Sequence, residues 1–254
     1  MYIDSHAHIY SEEFNNDRNE VVRRALNAGV EKIVLPNIDL SSVGVMLELT
    51  DKYPDNCYPL IGLHPTSVDK NYTAELDEIG KWVGKRKFYG IGEVGIDLYW
   101  SKTFIKEQED AFRVQVRMAK HLKLPIVIHV RNSFDEVYKI IGEEADKNLK
   151  GIFHCFTGNR DEAKKITDAG FKLGIGGVVT FKNSGLEDVL KFTDIGNLVL
   201  ETDSPYLSPV PHRGKRNESS YIIHIAQKIA DIYELPVKQV AEITSENVIN
   251  LFGI

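Results

Sequence analysis

Apolar and polar positions alternate in a repeating order along this chain. Short runs of aliphatic and aromatic residues give way to longer stretches with helical spacing, from one end to the other. The runs predict strands at 2–4 (YID), 32–36 (KIVLP), 57–62 (CYPLIG), 88–93 (FYGIGE), 125–129 (PIVIH), 151–155 (GIFHC), 171–176 (FKLGIG) and 197–202 (NLVLET). Between them the spacing predicts helices near 16–28, 41–52, 74–83, 104–122, 133–147, 160–169 and 184–192. Two more, near 217–233 and 237–252, follow the eighth strand. In 104–122, Ile105, Phe112, Val116 and Ala119 share one face while Lys106, Glu107, Asp110, Arg113 and Lys120 lie elsewhere, as a helix on the outside of a barrel requires. Gly170, just past helix 160–169, suits the residue that ends it.

Eight strand–helix units with no change of composition predict an α/β fold: a single (β/α)8 TIM-type barrel with an extra C-terminal helix, one domain over residues 1–254. An open, doubly wound sheet is the alternative. It needs a glycine-rich phosphate loop after the first strand, and DSHAHIYSEEF has none.

Composition narrows the partners more than the fold. With 254 residues, 43% of them hydrophobic, the chain can bury a large core. A net charge of −6 excludes a generally basic surface for nucleic acid, so a polyanion must be held locally, by a basic loop or by metal ions. No basic leader with an apolar stretch opens the chain, and no segment has the length of a membrane span. A cytoplasmic protein without membrane contact is expected, with oligomeric state open and a monomer favoured. Cys57 and Cys155 sit in separate predicted strands and form no Cys-x-x-Cys pair, so both are expected reduced and packed, Cys155 facing the helices.

In a barrel of this class the active site is built at the C-terminal ends of the strands. Here those ends read DSHAH, GLHP, GEVGID, IHVRN, FHCFTG and ETDSP, supplying His6, His8, His64, Glu93, His129, His154 and Asp203. Five of the chain's eight histidines fall there. Any one alone reads as a hydrogen-bonded core residue. Together, five imidazoles and two carboxylates carry a heavy desolvation penalty unless they are paired or bind metal. His6 and His8, two apart on an extended strand, point the same way and can share one ion.

Counting donors, His6, His8 and Asp203 can hold one ion, His129 and His154 a second, with Glu93 bridging. Imidazole with carboxylate suits zinc, manganese or iron(II), while magnesium prefers more oxygen. The expected cofactors are therefore two divalent ions, with Mg, Mn and Zn as the ones to test. Such a pair can clamp the attacking and leaving oxygens of a phosphoryl displacement and lower a bound water's pKa from about 15.7 to about 7. Asp203 is the best placed proton acceptor.

In DSHAH (4–8), GEVGID (92–97), IHVR (128–131), FHCFTG (153–158), ETDSP (201–205) and PHRGKRNE (211–218), the chain resembles the TatD-type metal-dependent deoxyribonucleases of the amidohydrolase-like barrel superfamily. The resemblance spans almost the whole chain. It implies a 3′-to-5′ exonuclease or related phosphodiesterase acting on single-stranded or damaged DNA, with some relatives described as acting on RNA or aminoacyl-tRNA. It implies His6 and His8 as ligands of the first metal, Glu93 as the bridge, His129 and His154 as ligands of the second, and Asp203 as the remaining first-metal ligand and acid/base. Two positions depart from the family's pattern: Thr66 and Ser219 stand where histidine and proline are frequent. Both lie on loops at the substrate face.

Other residues have weaker signals. Arg213, Lys215 and Arg216 in HRGKRN are expected to grip the substrate backbone, because loops after strands seven and eight often bind phosphate in this fold. Arg131 is a further candidate phosphate contact, and His64 is expected behind the ligands or on the substrate. Glu201, two before Asp203, should face inward and orient a ligand or substrate group. Tyr99, Trp100 and Phe104 form an aromatic loop that either stacks bases or plugs the loop onto the barrel. His121, His212 and His224 have no comparable claim.

Two other functions fit the same barrel. One is hydrolysis of small cyclic amides or esters, where many enzymes bridge two metals with a carboxylated lysine on strand four; GIGEVGID offers Glu93 and no lysine. The other is a non-catalytic scaffold, which a missing ligand would favour, and none is missing.

Overall fold

Aliphatic runs form eight parallel strands: β1 (Tyr2–Asp4), β2 (Val30–Leu35), β3 (Cys57–Pro59), β4 (Ile91–Asp97), β5 (Ile126–Arg131), β6 (Gly151–Phe153), β7 (Lys172–Ile175) and β8 (Leu198–Leu200). In the computed structural model, which describes residues 1–254, β1 to β3 make one ladder and β4 to β8 another. Two seams join them. At one, Ile61 pairs with Ile91, donating to Gly90 O at 3.2 Å and accepting from Gly92 N at 2.9 Å. At the other, Ala7 pairs with Ser204; Ser5 N donates to Leu200 O at 3.0 Å, Asp203 N to His6 O at 2.9 Å and His8 N to Ser204 O at 2.7 Å. The sheet closes on itself, giving the expected (β/α)8 barrel.

Asp4 holds the second seam from inside. It is fully buried and accepts from Thr202 N at 2.9 Å and Thr202 Oγ1 at 2.6 Å. Burial pushes its carboxyl up to about 7 despite those hydrogen bonds.

The outer layer comprises α1 (Arg18–Asn27), α2 (Leu40–Lys52), α3 (Tyr72–Val83), α4 (Ile105–Leu122), α5 (Phe134–Glu144), α6 (Arg160–Asp168), α7 (Leu186–Leu190) and α8 (Ile222–Tyr233). On α4, Phe112, Val116 and Ala119 are buried as their spacing predicts. Gln108 and Gln115 are buried beside them and reach the barrel wall, where they accept from Asp97 N at 2.9 Å and Leu63 N at 2.7 Å. Gly170 follows α6 with φ +84°, as its position suggests. No helix is long and apolar enough to cross a membrane.

The extra helix α9 (Val237–Phe252) plugs the barrel. Its Val248, Leu251 and Phe252 pack with Ile3, Val34, Leu60, Val127, Ile152 and Val199. Burying each such side chain stabilises the fold by about 1.5–3 kcal/mol. Side chains two apart on a strand share a face. Val127 and His129, Ile152 and His154, Val199 and Glu201 are therefore pairs whose first member meets the plug and whose second lies toward the opposite, C-terminal end of the strands.

Several boundaries differ from expectation, two of them with a tertiary cause. β4 runs on to Asp97, well past Glu93. Its Gly95 lets β4 and β5 approach: φ is +144°, and a Cβ there would lie 2.0 Å from His129 O. α5 ends at Glu144, short of residue 147. α8 starts at Ile222 because the Asn217 side chain donates to Thr202 O at 2.7 Å and Tyr206 O at 2.6 Å, holding residue 217 in the loop.

Candidate metal centre

Asp4, His6, His8 and Tyr10 take every second position at the opening of the chain, and all four are buried. His8 lies between two partners. Tyr10 Oη donates to Pro36 O at 2.5 Å, so its oxygen is free to accept from His8 Nδ1 at 2.9 Å. That places the His8 proton on Nδ1 and leaves the Nε2 lone pair facing inward, 3.1 Å from His6 Nε2.

His129 has the same arrangement on the opposite side. Its Nε2 donates to Asp97 Oδ2 at 3.0 Å, and its Nδ1 faces His154 Nε2 at 3.2 Å. His154 Nδ1 lies 3.7 Å from Glu201 Oε1. Glu201, fully buried, also accepts from Cys155 N at 2.5 Å. A hydrogen-bonded outer nitrogen fixes the tautomer of an imidazole and raises its basicity as a ligand.

Glu93 stands between the two sets. Its Oε2 is 3.1 Å from His6 Nε2 and 3.4 Å from His8 Nε2; its Oε1 is 2.7 Å from His154 Nε2 and 2.8 Å from His129 Nδ1. Asp203 Oδ1 is 3.7 Å from both His6 Nε2 and His8 Nε2. Three overlapping groups have donor atoms spaced for a cation: His6, His8 and Asp203; His6, Glu93 and His154; His64, Glu93 and His129. The donors suit metal for a further reason. Inward lone pairs about 3 Å apart repel one another unless a cation lies among them.

The electrostatics reflect this crowding. Burial would raise Glu93, but the imidazoles of His154, His64 and His6 and the His129 hydrogen bond outweigh it and hold its carboxyl well below the usual range. Burial, reinforced by His154, holds His6 well below the usual imidazole range. Against burial, Glu93 and Glu201 lift His154 well above it, while hydrogen bonds to the carboxylates of Asp97 and Glu93 lift His129. Burial, with Glu93 and Glu201 adding to it, pushes Asp203 up to about 6 although His154 and His8 oppose the shift.

His64 differs from the other four imidazoles. Its Nδ1 accepts from Thr66 N at 3.2 Å and lies 2.6 Å from Thr66 Oγ1. The proton is then on Nε2, 3.2 Å from Glu93 Oε1, so His64 presents a donor to the site rather than a lone pair. Thr66 is thus structurally engaged at the departure from the family pattern.

The cluster lies at the floor of a cavity of about 760 Å³ whose walls include Trp100, Arg131, Tyr206 and Leu207. Cys155 also lines it. β6 stops at Phe153 and Cys155 has φ +46°, so strand alternation does not carry this residue toward the helices. Burial and the nearby carboxylates push its thiol well above the usual range.

The basic loop is arranged differently. Arg216 donates to Asp17 Oδ1 and Oδ2 at 2.8 and 2.7 Å and to Glu13 O at 2.8 Å, tying the loop to α1. Arg213 lies over the Phe181 ring, 3.9 Å from its centroid. Lys215 and Arg216 line a separate surface cavity with His212 and His224. Arg213, Lys215 and Arg216 are all absent from the walls of the metal cavity.

Asp97 and Tyr10 are the site residues that sequence reasoning missed. Both had a signal in the period-two alternation: Asp97 follows Glu93 by four in GEVGID, and Tyr10 follows His8 by two in DSHAHIY.

Comparison with known proteins gives the family. The model of the TatD related DNase family matches residues 3–253. A Bacillus subtilis relative named as the uncharacterized metal-dependent hydrolase YabD is 38% identical, with 100% of each chain covered. A Salmonella typhimurium relative named as the 3′-5′ ssDNA/RNA exonuclease TatD is 32% identical, covering 99% of this chain and 98% of its own. The crystal structure of the TatD homolog YjjV from Escherichia coli superposes with a TM-score of 0.94 at 26% identity, covering 100% of this chain and 98% of that one. The chain belongs to the TatD related DNase family.

Proposed function

We propose that this protein is a metal-dependent nuclease that hydrolyses phosphodiester bonds of single-stranded DNA from the 3′ end, with two divalent cations at the strand-end cluster. One observation carries the reading. Glu93 turns one oxygen to His6 and His8 and the other to His129 and His154, the disposition of a carboxylate between two cations. The Salmonella relative's name supports both the substrate and the polarity, and extends the substrate range to RNA.

His6, His8 and Asp203 would hold one cation, His129 and His154 the other, and Glu93 both. When bound, they supply Lewis-acid charge to the oxygens of an in-line phosphoryl displacement. The chain's own groups do the rest. Asp203 Oδ1 faces His6 and His8, leaving Oδ2 to take a proton from the attacking water. The Nε2–H of His64 donates to a phosphate oxygen. Arg131, on the cavity wall with no carboxylate partner, grips a neighbouring phosphate. Arg213 and Lys215 are left for more distant phosphates, while Arg216 acts by anchoring their loop.

A nuclease assay tests this. Chelator-treated protein should leave single-stranded DNA intact, and added Mg²⁺, Mn²⁺ or Zn²⁺ should restore cleavage. Cleavage that survives both chelator and Asp203→Asn overturns the metal mechanism. No cleavage of any nucleic acid, with turnover of a lactone or cyclic amide, replaces the nuclease reading with the small-molecule one.

A further inference from the structure

Four of the nine large apolar side chains exposed on this protein gather at one place: Tyr99, Trp100, Tyr206 and Leu207, at 56%, 68%, 49% and 42% exposure. Three of them, Trp100, Tyr206 and Leu207, wall the metal cavity, and Tyr99 packs edge-on against Trp100 at 5.1 Å. Exposed apolar surface concentrated at the mouth of a polar cavity marks a binding site. A ring anchoring the β4–α4 loop would be buried. Leu98 and Ile105 already provide that anchorage, the first buried and the second packed on the core.

Trp100 is also tied to the catalytic groups. Asp97 Oδ1 accepts from Tyr99 N at 2.9 Å and Trp100 N at 3.1 Å, while Oδ2 of the same carboxylate holds His129. One side chain thus holds both the backbone that carries the ring and a metal-ligand candidate. The Arg131 guanidinium lies 4.1 Å from the Tyr99 centroid and 5.3 Å from that of Trp100, placing a cation against the rings. A flat apolar face with an unneutralised guanidinium beside it matches a planar base joined to a phosphate.

We infer that Trp100 and Arg131 form a nucleotide subsite at the cavity mouth, where Trp100 stacks on an unpaired nucleobase and Arg131 binds the adjoining phosphate. The inference rests on the nuclease reading and gives its single-stranded substrate a residue-level basis: an unpaired strand can turn a single base onto Trp100 while its phosphate reaches Arg131. Single-stranded ends are therefore selected by stacking, independently of base identity.

The chain has two tryptophans, and Trp82 lies on α3, so Trp82→Phe leaves Trp100 as the only indole reporter. Metal-stripped, full-length Trp82→Phe protein is titrated with a short oligothymidylate and with an abasic oligomer of equal length and charge. The thymidylate should quench Trp100 fluorescence and the abasic strand should not. In otherwise native protein, Trp100→Ala should weaken thymidylate binding about tenfold, the size of one base–aromatic stack, and Trp100→Phe should recover most of it. Equal quenching by both strands, or equal loss of affinity for both in Trp100→Ala, overturns the subsite. Metal-dependent cleavage of either strand would then leave the nuclease reading standing. Base-dependent quenching without cleavage under any metal would keep the subsite and remove the nuclease reading.

Discussion

The strand ends and the loop after β8 both carry dense chemistry, and the fold treats them in opposite ways. At the strand ends, Tyr10 takes up the outer ring nitrogen of His8 and Asp97 that of His129, the outer nitrogens of His6 and His154 are buried without a hydrogen-bond partner, and the inner nitrogens of all four converge. In the loop, tertiary partners take up the functional groups themselves. Arg216 is bound by Asp17 and Glu13, and Arg213 is spread on Phe181. Glu93 and His129 are oriented by their strands, and backbone hydrogen bonds between adjoining strand ends fix His8, His154 and Asp203, whereas a residue of the loop engages whatever its fold brings near. Reactive side chains close together in sequence are thus available for chemistry where the fold leaves their functional atoms without a competing partner.

The largest effect expected from this contrast is at Asp203. Asp203→Asn should lower kcat by about 10²–10⁴-fold with little loss of folding, the range for removing a positioned proton acceptor. Single-turnover cleavage of single-stranded DNA measures it, and an undiminished rate would move the proton to another group.

Next comes the supporting layer. Asp97→Asn and Tyr10→Phe each remove the charge or acceptor behind a ligand without touching the cluster, and each should weaken metal affinity about 10–100-fold. Calorimetric titration of the stripped variants reads this directly. Native affinity in both would mean that the back-side hydrogen bonds are incidental.

Changes in the loop should be small. Arg216→Ala should alter stability by about 0–1 kcal/mol, as a partly exposed ion pair does, and leave metal affinity unchanged. Denaturant melts and the same titration test both halves, and a collapse of metal affinity would join the two regions that the contrast separates.

The smallest effect concerns acid. The hydrogen bond from Arg216, with that from Arg24, holds the Asp17 carboxyl down at about 2, below its ordinary 3.8. A carboxyl lowered by folding adds stability above its unfolded value and loses it as pH falls through the folded one. Asp17→Asn should therefore flatten a shallow loss of stability between about pH 4 and 2. Parallel acid melts of the two proteins would show no difference if solvent screens the pair fully.

Much of this was legible because strand alternation is a strong code. Val127 and His129, or Ile152 and His154, can be assigned to plug and site from spacing alone. Asp97 was missed because β4 was read as ending at Glu93: two glycines in GEVGID look like a stop, but Gly95 is what lets the strand continue against β5. The anchoring of Arg216 was hidden for the opposite reason. Its partner Asp17 lies 199 residues away in sequence, and no local pattern announces such a pairing. The tautomer of His64 likewise depends on Thr66 adopting a turn that directs its N–H to the ring.

The most direct test of the convergent cluster is its metal stoichiometry. Stripped protein dialysed against Mn²⁺ or Zn²⁺ and assayed by elemental analysis should retain two ions per chain, and Glu93→Gln should retain fewer. Failure of the native protein to retain any divalent ion, or equal retention by Glu93→Gln, would contradict a centre bridged by Glu93.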